Sequence, residues 1–222
     1  MDPTLPEELV MLQRSVREFV EKRLVPLERD IEEKDEIPRS LIEAMAGMGL
    51  FGLGFSEKIG GQGFGKLGYC VAVEQLARAN ASLWNVIGGS AGLCGTAIDI
   101  GGPDALRSRY LPDLLSARKI GAYGLSEPGA GSDAGGLKTI ARRDGDSYVI
   151  DGAKTFITNA PIADVFVVFA TLDPKLGSKA ITAFVVERSA AGLEVGRNDA
   201  KMGLHGSTTA QLYFRDMRVP AS

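Results

Sequence analysis

The chain of 222 residues has one histidine, two cysteines and one tryptophan. With a single histidine and no CxxC spacing, Cys70 and Cys94 cannot form the ligand set of a structural zinc site. Both cysteines lie in apolar, helix-like surroundings, so they read as packed thiols of a reducing compartment and not as a disulfide. Neither sign of charge dominates: 25 Lys and Arg stand against 28 Asp and Glu, interspersed, for a formal net charge of −3. That balance argues against nucleic acid or an anionic membrane as the main partner. No apolar run is long enough to span a bilayer, and the N-terminus lacks a signal-peptide pattern. A bacterial cytoplasm or a mitochondrial matrix is the expected setting.

An apolar fraction of 45% is enough for an ordinary core, and the length allows one large domain or two smaller ones. From residue 4 to 34, Leu5, Leu9, Leu12, Val16, Phe19, Leu24 and Leu27 recur at helical steps. Thr4 and Glu7 have capping-box spacing, and Pro26 predicts a kink. A second helix is expected from about Pro38, with Leu41, Ile42, Met45 and Met48 on one side as core filler. Further helices are expected over 66–80, after the loop Gly60–Gly65, and from Gly102-Pro103 onward. Between them lies an apolar, glycine-rich stretch over 82–100 that holds Trp84. Its glycines lower helicity by about 1 kcal/mol each, so a helix there must be held by packing or leave room for a ligand.

The texture changes after Lys119. Short β-rich runs follow at 122–125, 137–143, 147–150, 154–158, 165–171, 181–187 and 211–218. Gly145-Asp146 marks a turn, and Asp151-Gly152 predicts a hairpin. The expected fold class is α+β: an all-α domain over 1–119, then an antiparallel β-sandwich or barrel over 120–222.

Two glycine clusters need a reason. In Gly60-Gly61-Gln62-Gly63-Phe64-Gly65, no Lys-Ser/Thr follows and no strand precedes, which excludes a P-loop or a Rossmann fingerprint. The run from Gly124 to Gly136 has five glycines within it and a proline, so it is a shaped loop. Read from residue types alone it is a surface turn, with Asp133 capping the next element and Ser132 as a possible cap in the same way.

The order of the residues says more. Leu125-Ser126-Glu127-Pro128-Gly129-Ala130-Gly131-Ser132-Asp133 resembles the flavin-loop signature of the acyl-CoA dehydrogenase family. Ile59–Gly65, Asp151–Asn159, Lys201–Thr209 and the closing Val219-Pro220 resemble that family in the same order, so the resemblance covers essentially the whole chain. It implies FAD as cofactor, an acyl-CoA thioester as substrate and an electron-transferring flavoprotein as acceptor. It also implies a homo-oligomer for the full-length enzyme, and a buried 82–100 helix lining the acyl pocket.

Carried over residue by residue, the resemblance sets Tyr123, Leu125 and Ser126 along the flavin ring, with Gly131 and Ser132 on the cofactor. Ser132 also meets the CoA arm, and Phe156 and Thr158 lie at the opposite face or the N5 edge. Without the resemblance, Phe156 is an ordinary inward strand residue. Two positions depart from the pattern: Phe156 stands where the family often has tryptophan, and His205 where it often has arginine. Read alone, His205 is a solvent-facing loop residue. In the family the catalytic base is a carboxylate of a C-terminal helical domain, which these residues do not include. Glu127 and Asp133 read as loop structure and capping, so no catalytic residue is assigned. The alternatives are an oxidase or monooxygenase relative, or an acyl-CoA or FAD binding module without catalysis.

Overall fold

The N-terminal apolar repeat folds as a rod with two irregular turns. A computed structural model, which describes residues 4–221, has α1 at Glu7–Phe19, a π-helical turn at Val20–Leu24, a 3-10 turn at Val25–Leu27 and α2 at Glu28–Lys34. The disturbance falls where Pro26 lacks a backbone donor and its ring crowds the preceding turn. Leu9, Val16, Val20, Leu24 and Ile31 still reach buried positions. The Thr4 and Glu7 box does not start α1; Pro6 is the N-cap, and it has no side chain to cap with.

α3 (Arg39–Gly47) opens after Pro38 and buries Leu41, Ile42 and Met45. α4 (Gly65–Leu76) follows the Gly60–Gly65 loop. Then come α5 (Ser82–Ile87), a π-helical segment at Gly88–Gly95, α6 (Thr96–Gly101) and α7 (Asp104–Leu115). These helices enclose a core that includes Phe51, Leu76, Leu83, Ile87 and Leu111. Cys94 lies in this core, where burial pushes its thiol up to about 12, so it is an inert packed group. Cys70, expected to be packed, is exposed instead. No helix among the described residues is long and apolar enough to cross a membrane.

The second half is a curled sheet of β1 (Gly121–Gly124), β2 (Ile140–Asp144), β3 (Ser147–Thr158), β4 (Val165–Thr171), β5 (Ile181–Glu187), β6 (Leu193–Val195) and β7 (Thr209–Pro220). The order is β1-β4-β2-β3-β7-β6, with β5 on β4. Pairing is mainly antiparallel, as expected, with parallel contacts of β1 and β2 to β4. The sequence of β4 explains its central place. Phe166, Val168 and Ala170 enter the sheet's own core, while Val165 and Val167 enter the helical core. A strand buried on both faces reads as a continuous apolar run, and Val165–Thr171 is one.

The two turn signals part ways. Gly145-Asp146 closes a tight hairpin between Asp144 and Ser147. Asp151-Gly152, expected to do the same, lies inside β3 as a bulge with a register shift against β7. Gly152 has φ +147, and a Cβ there would stand 2.8 Å from the Thr139 Cα. The Asp151 carboxylate holds the bulge in place by accepting from the Asp216 N–H at 2.8 Å and from the Arg142 guanidinium. Bulge and turn both ask for a glycine of positive φ, so the dipeptide alone does not choose between them. Gly152→Ala is expected to cost roughly 2–4 kcal/mol from backbone strain and overlap with Thr139. Urea unfolding checks this; an unchanged midpoint would contradict the bulge geometry.

Candidate functional site

The loop after β1 is pinned from below by an ion pair. Lys154 of β3 is fully buried and Glu127 is 8% exposed. The Lys154 ammonium donates to Glu127 Oε1 at 2.7 Å and to the Leu125 carbonyl at 3.1 Å. Glu127 also accepts the backbone N–H groups of Lys138 at 2.6 Å and Thr139 at 2.9 Å, so both ends of the glycine loop meet on one carboxylate. Between them, Glu127 and Ala130 exchange backbone hydrogen bonds around Pro128-Gly129. Burial alone would push the Glu127 carboxyl up. The hydrogen bonds from Lys154, Thr139 and Lys138 outweigh it and hold the carboxyl below its usual range. Burial pulls the Lys154 ammonium down, against the pull of Glu127. Glu127 is thus a structural residue, as its sequence context indicates. Asp133 makes no side-chain capping bond; its carboxylate lies close over Gly135 and Gly136.

β3 breaks its alternation beside this pair. In a regular strand Lys154 and Phe156 would share a face. A register shift between Lys154 and Ile157 sends Lys154 inward and leaves Phe156 74% exposed, with φ +58. An aromatic residue in the left-handed region carries strain of about 1–3 kcal/mol, of the kind that collects at functional sites. The neighbouring Thr155 N–H donates to the Ser126 carbonyl at 2.9 Å, which sets the bulge against the loop.

Asn159 then anchors the end of the strand. Its amide nitrogen donates to the carbonyls of Val86, at 3.0 Å, and Gly121, at 3.2 Å, joining β3 to α5 and β1. Thr158 is thereby set on the rim of a mainly apolar cavity of about 460 Å³, with Phe51, Tyr69, Trp84, Gly88 and Gly92 also in its lining. The glycines make the space: a Cβ on Gly88 would stand 3.0 Å from the Trp84 ring, and one on Gly92 3.3 Å from the Tyr69 hydroxyl. The π-helical widening here is a feature that recurs at functional sites. No group of three potential metal ligands occurs among the described residues.

The sequence-predicted residues are placed unequally. Leu125, Ser126, Phe156 and Thr158 gather where the loop meets the bulge. Tyr123 is half-buried in β1, its ring 4.9 Å from that of Phe169, and burial raises its phenol. Gly131 and Ser132 are exposed beyond the Pro128-Gly129 turn, and no hydrogen bond among the described residues ties them to β3. His205 is not merely solvent-facing. Its ring nitrogens lie 3.2 Å from the carbonyls of Glu32 and Lys201, and its own carbonyl accepts the Ser82 hydroxyl at 2.7 Å. Lys154, Asn159 and Tyr69 escape sequence reasoning. For Lys154 the signal is a lone cation in the run 152–158, with a carboxylate, Glu127, in the preceding glycine loop.

Removing either partner of the buried pair leaves an unpaired charge, so Glu127→Gln and Lys154→Met are each expected to cost about 3 kcal/mol. The double substitution should cost less than the sum. Because folding depresses the Glu127 pKa, its contribution is complete above the unfolded carboxylate value and is lost as pH falls through the folded one. Denaturant titrations from neutral to acid pH should therefore decline less steeply in Glu127→Gln than in wild type.

Residues 6–118 match the profile "Acyl-CoA dehydrogenase, N-terminal domain", and residues 122–217 match "Acyl-CoA dehydrogenase, middle domain". The short-chain specific acyl-CoA dehydrogenase of Clostridium acetobutylicum is 39% identical over 220 residues, which is 99% of this chain and 58% of that protein. The butyryl-CoA dehydrogenase of Megasphaera elsdenii superposes with a TM-score of 0.94 at 37% identity, over 100% of this chain and 59% of that one. A glutaryl-CoA dehydrogenase of Mycobacterium smegmatis, solved in complex with FADH2, gives 0.92 at 28% identity over 98% and 55%. The chain thus spans little more than half the length of these relatives, and it belongs to the acyl-CoA dehydrogenase family.

Proposed function

We propose that this chain supplies the helical and middle β domains, 1–119 and 120–222, of an FAD-dependent dehydrogenase that converts acyl-CoA thioesters to trans-2-enoyl-CoA. The observation that carries the reading is one juxtaposition. A strained, exposed Phe156 stands in β3 between Thr155, which is bonded to the Ser126 carbonyl, and Thr158, which lines an apolar cavity. The residues present fit a flat cofactor. Phe156 offers an open aromatic face, and the Ser126 N–H and hydroxyl have no acceptor among the described residues. Bound there, FAD supplies the hydride-accepting chemistry.

The chain's own part is to bind and orient. Phe156 and Leu125 wall the ring, Tyr123 backs them, and Ser126 and Thr158 donate to its polar edge. Gly131 and Ser132 follow the pyrophosphate side, where Ser132 also meets the CoA arm. The Lys154–Glu127 pair fixes the loop so that these donors need no reordering. The cavity beyond Thr158 receives the acyl group and excludes water. The same reading gives an electron-transferring flavoprotein as acceptor, a homo-oligomeric full-length enzyme, and a bacterial cytoplasm or mitochondrial matrix as the setting.

One observation favours a restricted reading for the chain by itself. No acidic residue lines the cavity, and Glu127 is occupied by Lys154. Removing the α-proton needs a base within hydrogen-bond reach, so these residues alone bind without turnover. Titration with FAD is expected to saturate with a structured visible spectrum, and Phe156→Ala to weaken binding by about tenfold through loss of ring contact. Anaerobic acyl-CoA should leave the flavin oxidised. Equal FAD affinity in Phe156→Ala would remove the assignment of the ring site, and bleaching would reveal a base within the chain.

A further inference from the structure

The cavity has one polar side that the proposed reaction does not use. Lys66 and Tyr69 stand three residues apart on α4, hence on one face of the helix, and both line the cavity. The Tyr69 hydroxyl is half-buried, facing the slot left by Gly88 and Gly92, and burial raises its pKa. It has no hydrogen-bond partner among the described residues, and the Lys66 ammonium has neither a hydrogen bond nor an ion pair there. On the rest of the lining, the Asn85 amide nitrogen donates to Ser207 Oγ at 3.1 Å, the Thr96 hydroxyl lies 3.5 Å from the Ala91 carbonyl, and Thr158 is the residue assigned above to the cofactor edge. Tyr69 and Lys66 thus leave two unspent donors on one wall, with the Trp84 ring and Phe51 making an apolar frame.

Resting on the acyl-CoA reading above, we propose that this cavity selects acyl groups whose distal end carries an oxygen acceptor, received by the Tyr69 hydroxyl and the Lys66 ammonium. An all-alkyl tail that dried the cavity would leave the hydroxyl facing carbon, and leaving a buried donor unpaired costs more than the pairing gains. A carboxylate tail would meet both donors, and the long lysine stem lets the ammonium reach inward from the rim. A neutral ketone tail would meet Tyr69 and gain less from Lys66. Sites with such fixed donors discriminate strongly against the isostere that lacks the acceptor.

The test is calorimetric binding of three non-oxidisable CoA thioethers of equal length, ending in a carboxylate, a methyl ketone or an alkyl group, to the FAD-loaded chain. The carboxylate is expected to bind about tenfold more tightly than the alkyl form, with the ketone between them. Tyr69→Phe should abolish the ketone's advantage, and Lys66→Met the carboxylate's advantage over the ketone. Equal affinity for all three, or tightest binding of the alkyl form, overturns the proposal while leaving the acyl-CoA reading intact. If none of the three binds, the acyl-CoA reading itself falls.

Discussion

A lysine with no access to water has to be neutralised, and Glu127 is what neutralises Lys154. The consequences spread outward from that pair. The carboxylate gathers two backbone N–H groups from the far end of the glycine loop, and the ammonium holds the carbonyl at its near end. A loop of five glycines would otherwise have many conformations of similar energy. Here its closure is set by charge at the base, so its tip needs few contacts of its own. Phe156 is exposed because Lys154 is not: the bulge that turns one inward turns the other out.

The joint between the two halves works by the same economy of polar groups. Asn159 reaches two carbonyls, one on α5 and one on β1, and the loop of His205 is bonded to both α2 and α5. The Asp35 carboxylate completes this seam by accepting the Gly206 N–H at 2.7 Å and the Asn198 amide at 3.3 Å. β4, apolar on both faces, closes the joint from within. The helical half and the sheet are held in register where the cavity meets the loop, which is where a cofactor and a substrate would need to meet.

Much of this was legible in the residue order, for definite reasons. The stretch 165–170 is unbroken in apolar character and shows as a β-rich run, and the structure adds that it is buried on both faces. Pro26, Pro38 and Pro103 marked helix irregularities and starts through their missing donor. What stayed hidden depends on partners distant in sequence. Gly152 is a bulge and not a turn because Thr139 lies against it. The burial of Lys154 follows from a register set by β7. Phe156 takes a positive φ that no aromatic residue advertises, and β6, three residues long, is too short to show a period. Cys70, one position away from Tyr69 on α4, turns outward although its apolar neighbours in sequence point to a packed thiol.

The π-helical segment Gly88–Gly95 couples the capacity of the cavity to the rigidity of its wall. The side chains missing at Gly88 and Gly92 are room for a ligand, and each is also a lost contact and a lost restraint on the backbone. The segment is held on its other side, where Ala91 and Cys94 are buried in the helical core. Such a wall can be moulded one carbon at a time: a methyl group added at Gly88 or Gly92 would shorten the cavity and stiffen the helix in the same step. Ligand size and local firmness therefore lie on one axis in this fold, and the sequence sits near its roomy end.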